Sequence, residues 1–131
     1  DGYAVQLAVK KGFPIAIITG GKCHGIRLRF EGLGVKDIYM SSSNKKEAYL
    51  DFINKHNLNP QNIMYMGDDL PDYEVMKQIG IPVCPADAAV EIKALSNYIS
   101  NFKGGEGCVR DVIEQVLRSQ DRWFNKDAFH W

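Results

Sequence analysis

The chain of 131 residues is long enough for one domain with a single core, and its 45% hydrophobic and 24% charged residues are ordinary for a globular protein. Lysine plus arginine equals aspartate plus glutamate at 16 each, so no global field draws the chain to nucleic acid or to a membrane surface. No apolar run reaches membrane-spanning length, no signal peptide is expected, and the widely spaced Cys23, Cys84 and Cys108 fit a reducing cytoplasm better than a disulfide framework.

Helices and strands are predicted to alternate. Tyr3, Val5, Leu7, Ala8 and Val9 form an apolar helical stripe, with Asp1 as its cap and Gly12 as its end. Because the chain opens at Asp1-Gly2 without methionine and enters this helix at once, it reads as a piece of something longer. Ile15-Ala16-Ile17-Ile18 is a continuous apolar run, as in a strand buried on both faces. A second helix holds Ile26, Leu28, Phe30 and Leu33 and closes near Gly34, and Asp37–Met40 is a second strand. Ser43 or Asn44 caps a helix through Ala48, Tyr49, Phe52 and Ile53, which Asn57 and Pro60 end. The Ile63–Met66 strand follows, then a helix over Tyr73–Ile79, a strand at Ile81–Val83, a short helix at Glu91–Leu95 and a short edge strand at Tyr98-Ile99. A glycine-rich loop, Lys103–Gly107, leads into a last helix, Val109–Leu117. Alternation at this spacing predicts an α/β fold, a parallel sheet with helices on both faces. Residues 1–120 form its domain, and residues 121–131 are an aromatic tail with Trp123, Phe124, Phe129 and Trp131, expected to pack loosely or to act as a lid.

Open parallel α/β sheets bind ligands at the carboxyl ends of their strands, and three such ends carry chemistry here. After Ile18 comes Thr19-Gly20-Gly21, a hydroxyl and glycine amides able to hold phosphate oxygens. The alternatives are a tight turn that needs glycine, or a dinucleotide turn, although the spacing misses G-x-G-x-x-G. After Met40, Lys45 falls in the first turn of a helix, where the helix dipole disfavours a cation. After Met66 comes Gly67-Asp68-Asp69-Leu70-Pro71-Asp72, whose adjacent carboxylates call for a divalent cation, a lysine or both. Taken alone, this last segment also suits a polar turn in which Asp69 or Asp72 is a cap.

Together, Ile17-Ile18-Thr19-Gly20, Ser43-Asn44-Lys45 and Gly67–Asp72 resemble the second, third and fourth motifs of the haloacid dehalogenase superfamily. The opening Asp1-Gly2-Tyr3 and the Gly104–Asp111 segment are similar to its capless branch, which dephosphorylates 3-deoxy-D-manno-octulosonate 8-phosphate. That resemblance implies a Rossmann-like three-layer α/β/α fold and an Mg2+-dependent phosphatase working through an aspartyl-phosphate. By the same resemblance Asp68 ligates Mg2+, and Asp69 orients Lys45 and helps hold the metal site. Thr19, Gly20 and Lys45 bind the phosphoryl group, Arg110 meets the sugar-acid carboxylate, and Asp72 acts behind the site or as a helix cap. The implied partner is a small sugar-acid phosphate, with neither nucleic acid nor membrane, and the implied assembly in the complete protein is a homotetramer.

The family's nucleophile motif, D-x-D-G-V or D-x-D-G-T on a first strand, is absent. In the family that strand lies between those corresponding to Ile15–Ile18 and Ile63–Met66, so the sheet here is expected to have a gap with two unpaired edges. The chain alone is therefore expected not to turn over. Alternatives are a phosphatase of 2-keto-3-deoxynonulosonate 9-phosphate, a catalytically inactive binding or assembly domain of the same fold, and a receiver-type signalling domain.

Overall fold

The computed structural model describes residues 2–125 and Phe129. Asp1, predicted as a cap, and Trp131 of the tail lie outside the described residues. The elements follow the predicted order: α1 (Gly2–Lys10), β1 (Ala16–Ile18), α2 (His24–Gly32), β2 (Asp37–Tyr39), α3 (Lys45–His56), β3 (Met64–Met66), α4 (Tyr73–Met76), β4 (Ile81–Cys84), α5 (Val90–Leu95), β5 (Tyr98–Ile99) and α6 (Cys108–Ser119).

Local chemistry sets the boundaries. Of the two candidate caps for α3 it is Asn44 that acts, its side chain accepting from the N–H groups of Lys46 and Glu47. Asn57 closes the same helix in the left-handed conformation at φ 52°. The helix predicted over Tyr73–Ile79 begins at Tyr73, directly after a 3-10 turn at Leu70–Asp72, but ends already at Met76.

Among the described residues every strand pair is parallel, but the strands fall into two sheets. β1 pairs with β2, while β3, β4 and β5 pair in that order with β5 at the edge. This is the α/β fold expected, with the anticipated break between β1 and β3. Alternation along β1 assigns the layers. Ile15 and Ile17 pack with Val5 of α1, Phe30 of α2 and Val109 and Ile113 of α6, whereas Ile18 packs with Tyr49 of α3 and Val75 of α4. Helices α1, α2 and α6 thus cover one face; α3, α4 and α5 cover the other.

The tail differs from expectation. Trp123 is buried against Ala4, Leu7 and Leu117, and its ring meets Tyr3 edge-on with centroids 5.9 Å apart. Its large apolar surface fixes the chain there. Phe124 and Phe129 remain exposed.

Candidate active site

β1 and β2 lie side by side in one direction, and their following turns are tied together. Thr19 donates its N–H to Tyr39 and accepts from the N–H of Ser42, each at 2.9 Å, and the Ser41 N–H reaches the Gly21 carbonyl at 2.9 Å. The Thr19 hydroxyl accepts from the Gly21 N–H at 3.0 Å, which leaves its own proton free to donate. Gly20 is exposed at the tip.

From β2 the chain turns through Ser41–Asn44 into α3, whose first residue is Lys45. Its ammonium meets Asp72, not Asp69, at 2.9 Å. Asp72 is buried at 2% exposure and also accepts from the Tyr65 hydroxyl at 2.7 Å and from the N–H groups of Asp68 at 3.0 Å and Asp69 at 3.3 Å. Burial pushes this carboxyl up, but the hydrogen bonds from Lys45 and Tyr65 outweigh it and hold the group below the usual range. The same surroundings push the Tyr65 phenol far up, through burial and the Asp72 charge, so it stays a donor.

The Lys45 contact expected of Asp69 is made by Asp72. The Asp69 carboxylate accepts from the Leu70 N–H at 2.8 Å and opens the 3-10 turn. That turn carries Asp72 back beneath Gly67, where an added Cβ would lie 2.5 Å from the Asp72 Cβ. Only glycine permits the approach. Asp68 is exposed, and burial of part of its surface and the neighbouring Asp72 charge raise its carboxyl more than Lys45 lowers it.

Arg110, expected to meet the substrate carboxylate, has aromatic and acidic neighbours within the chain. It sits on α6 with its guanidinium 5.3 Å from the Trp123 ring centroid and 5.8 Å from that of Tyr3, and it faces Glu114 at 3.5 Å. Those partners belong to the α1–α6 layer. Tyr65 was missed by sequence reasoning, although strand alternation from Ile63 puts it on the α3 side where Lys45 begins.

A cleft of about 770 Å³ opens between β1 and β3, and Ile18, Lys45, Gly67, Asp68 and Asp72 all line it. Among the described residues no three histidine, cysteine or acidic side chains gather as a metal cage.

A profile of haloacid dehalogenase-like hydrolases matches residues 22–112, from just after the Thr19-Gly20 turn into α6. The chain belongs to that family. This haloacid dehalogenase-like chain is 36% identical over 122 residues, 93% of its own length, to the 3-deoxy-D-manno-octulosonate 8-phosphate phosphatase of Salmonella typhi, and it spans 65% of that relative. The crystal structure of the phosphatase of the same name from Yersinia pestis superposes with TM-score 0.89 at 34% identity, covering 92% of this chain and 65% of that one. The Moraxella catarrhalis phosphatase, solved with magnesium, phosphate and KDO, superposes with TM-score 0.88 at 31% identity, covering 98% of this chain and 72% of that one. No helix among the described residues is long and apolar enough to cross a membrane.

Proposed function

We propose that the complete protein is a phosphatase of 3-deoxy-D-manno-octulosonate 8-phosphate and that this chain supplies its phosphate-holding half. The observation that carries this reading is Lys45, a cation at a helix start, held toward the cleft by the buried Asp72. The Thr19 hydroxyl and the Gly20 amide would receive phosphoryl oxygens, and Lys45 would neutralise them. Preorganised donors of this kind stabilise charge in phosphoryl transfer. The attacking carboxylate that would form an aspartyl-phosphate is sought outside the described residues, because Asp69 and Asp72 are engaged in the turn.

Asp68 suits Mg2+ as one ligand, since this ion takes one or two carboxylates and completes its shell with phosphate oxygens and water. Its carboxyl, raised by burial and by Asp72, would be relieved by a cation. Bound there, Mg2+ would draw off charge from the phosphoryl oxygens. Leu70, Val90 and Phe102, exposed on the segments after β3, β4 and β5, favour subunits closing over this edge as a homotetramer. Three unbridged cysteines favour a cytoplasmic location.

The test is release of inorganic phosphate by the protein of the complete reading frame, with Mg2+, from the eight-carbon substrate and from 2-keto-3-deoxynonulosonate 9-phosphate. The expected result is faster turnover of the eight-carbon substrate, lowered about 100-fold or more by Lys45→Ala. Preference for the nine-carbon compound would reassign the substrate. No release from either, or release indifferent to Lys45→Ala, would overturn the reading in favour of an inactive binding domain.

A further inference from the structure

We infer that Ser41 is a positioning residue, whose left-handed backbone sets the distance between the Thr19-Gly20 turn and Lys45. Under the functional reading proposed above, on which this rests, those two groups take the phosphoryl oxygens. Among the described residues, Ser41, Asn57 and Asp121 are the residues other than glycine with positive φ. Asn57 closes α3 and Asp121 follows α6, and a left-handed residue is a common way to stop a helix. Ser41, at φ 54°, follows a strand instead. That conformation crowds the Cβ of any residue but glycine.

The hydrogen bonds show what it achieves. Thr19 gives its N–H to the Tyr39 carbonyl. In a regular parallel ladder the Thr19 carbonyl would then take the N–H of residue 41. It takes that of Ser42 instead, and the Ser41 N–H turns to the Gly21 carbonyl, each at 2.9 Å. Ser41 is thus one extra residue in the path of β2. Such bulges re-aim the chain, and they gather beside active sites.

Both sides of the anion site are tied to this bulge. On the β1 side the Gly21 carbonyl is fixed, while the Gly21 N–H closes onto the Thr19 hydroxyl at 3.0 Å. Gly20 lies against the same segment, since a Cβ added to it would stand 3.8 Å from the Ser42 carbonyl oxygen. On the α3 side the Ser42 hydroxyl donates to the Asn44 carbonyl at 3.3 Å, and Asn44 caps the helix that begins with Lys45. The Ser41 side chain is exposed, so its backbone does the positioning. Preorganised donors depend on their spacing, and a misplacement of about 1 Å can cost about 100-fold in rate.

The test uses the protein of the complete reading frame and two kinds of substitution. Ser41→Gly and Ser41→Asn accept the left-handed conformation, whereas Ser41→Val and Ser41→Pro do not. Proline also removes the N–H given to Gly21, and valine keeps it should proline prevent folding. Each variant is read by calorimetric affinity for inorganic phosphate, by kcat and KM on the eight-carbon substrate, and by melting temperature. Ser41→Gly and Ser41→Asn are expected to bind phosphate within about twofold of wild type and to melt close to or above its temperature. Ser41→Val and Ser41→Pro, still folded at the assay temperature, are expected to bind it about tenfold or more weakly and to lose kcat about 10-fold to 100-fold. Unchanged phosphate affinity and kcat in the folded valine and proline variants would overturn the inference and leave the functional reading intact. Equal loss in all four variants would also overturn it, by assigning the effect to the serine hydroxyl. A wild type that neither binds nor releases phosphate would remove the functional reading, and this inference with it.

Discussion

Helix α3 holds a lysine against a buried aspartate at each of its ends, and the two pairs answer to different forces. At the carboxyl end Lys55 meets Asp37 at 2.7 Å, and His56 meets the other oxygen at 2.8 Å. The helix dipole favours a cation there, and the Lys55 side chain is 57% exposed. At the amino end the dipole opposes Lys45, which is nonetheless drawn in to 18% exposure. Helix electrostatics accounts for the first pair. The second needs Asp72, Tyr65 and two backbone N–H groups to hold it. A cation kept against its own helix, beside a cleft, supports the proposal that Lys45 meets an anion.

Mutations at the two ends break this comparison with unequal force. Asp72→Ala strands Lys45, the Tyr65 hydroxyl and two N–H groups in a buried site, and is expected to cost about 3–5 kcal/mol in urea unfolding. Asp37→Ala is expected to cost less, about 1–3 kcal/mol, because the exposed lysine returns to water. The pH dependence of the Asp37 effect has a definite sign. Burial raises its carboxyl, but the hydrogen bonds from Lys55 and His56 outweigh burial and hold it below the ordinary value of 3.8. Its stabilisation is therefore complete above that value and is lost as pH falls through the folded one. The gap between wild type and Asp37→Ala should narrow as pH falls below about 4.

Smaller changes sharpen the contrast. Asn44→Ala removes the cap beneath Lys45 and is expected to cost about 1 kcal/mol. Asp68→Asn should act in the opposite direction. Its carboxyl is raised in the fold, so its charge opposes folding above that raised value, and neutralising it should slightly raise the melting temperature at neutral pH. The same variant should lose any stabilisation that added Mg2+ gives the wild-type chain. An unchanged Mg2+ response would remove Asp68 from the metal site.

Much of the fold was legible because each element carries its own signal. The apolar run at Ile15–Ile18, the cap at Asn44, the stop at Asn57 and the edge position of Tyr98-Ile99 all came from local chemistry. The place of Lys45 in the first turn of α3, against the helix dipole, was legible too. The choice between Asp69 and Asp72 was not legible. Two carboxylates three residues apart across a proline turn exchange roles with a small change of path, and that path is set by the space beneath Gly67. The ring contacts of Arg110 were not legible for a related reason: its aromatic partners, Tyr3 and Trp123, are far away in sequence.

The most direct measurement is calorimetric titration of inorganic phosphate into the wild-type chain, Lys45→Ala and Lys55→Ala, with each variant's folding checked by circular dichroism. If α3 keeps its amino-terminal lysine for an anion, phosphate binding disappears in Lys45→Ala and persists in Lys55→Ala. Equal binding by both folded variants would contradict the account and reduce the Lys45–Asp72 pair to a structural one.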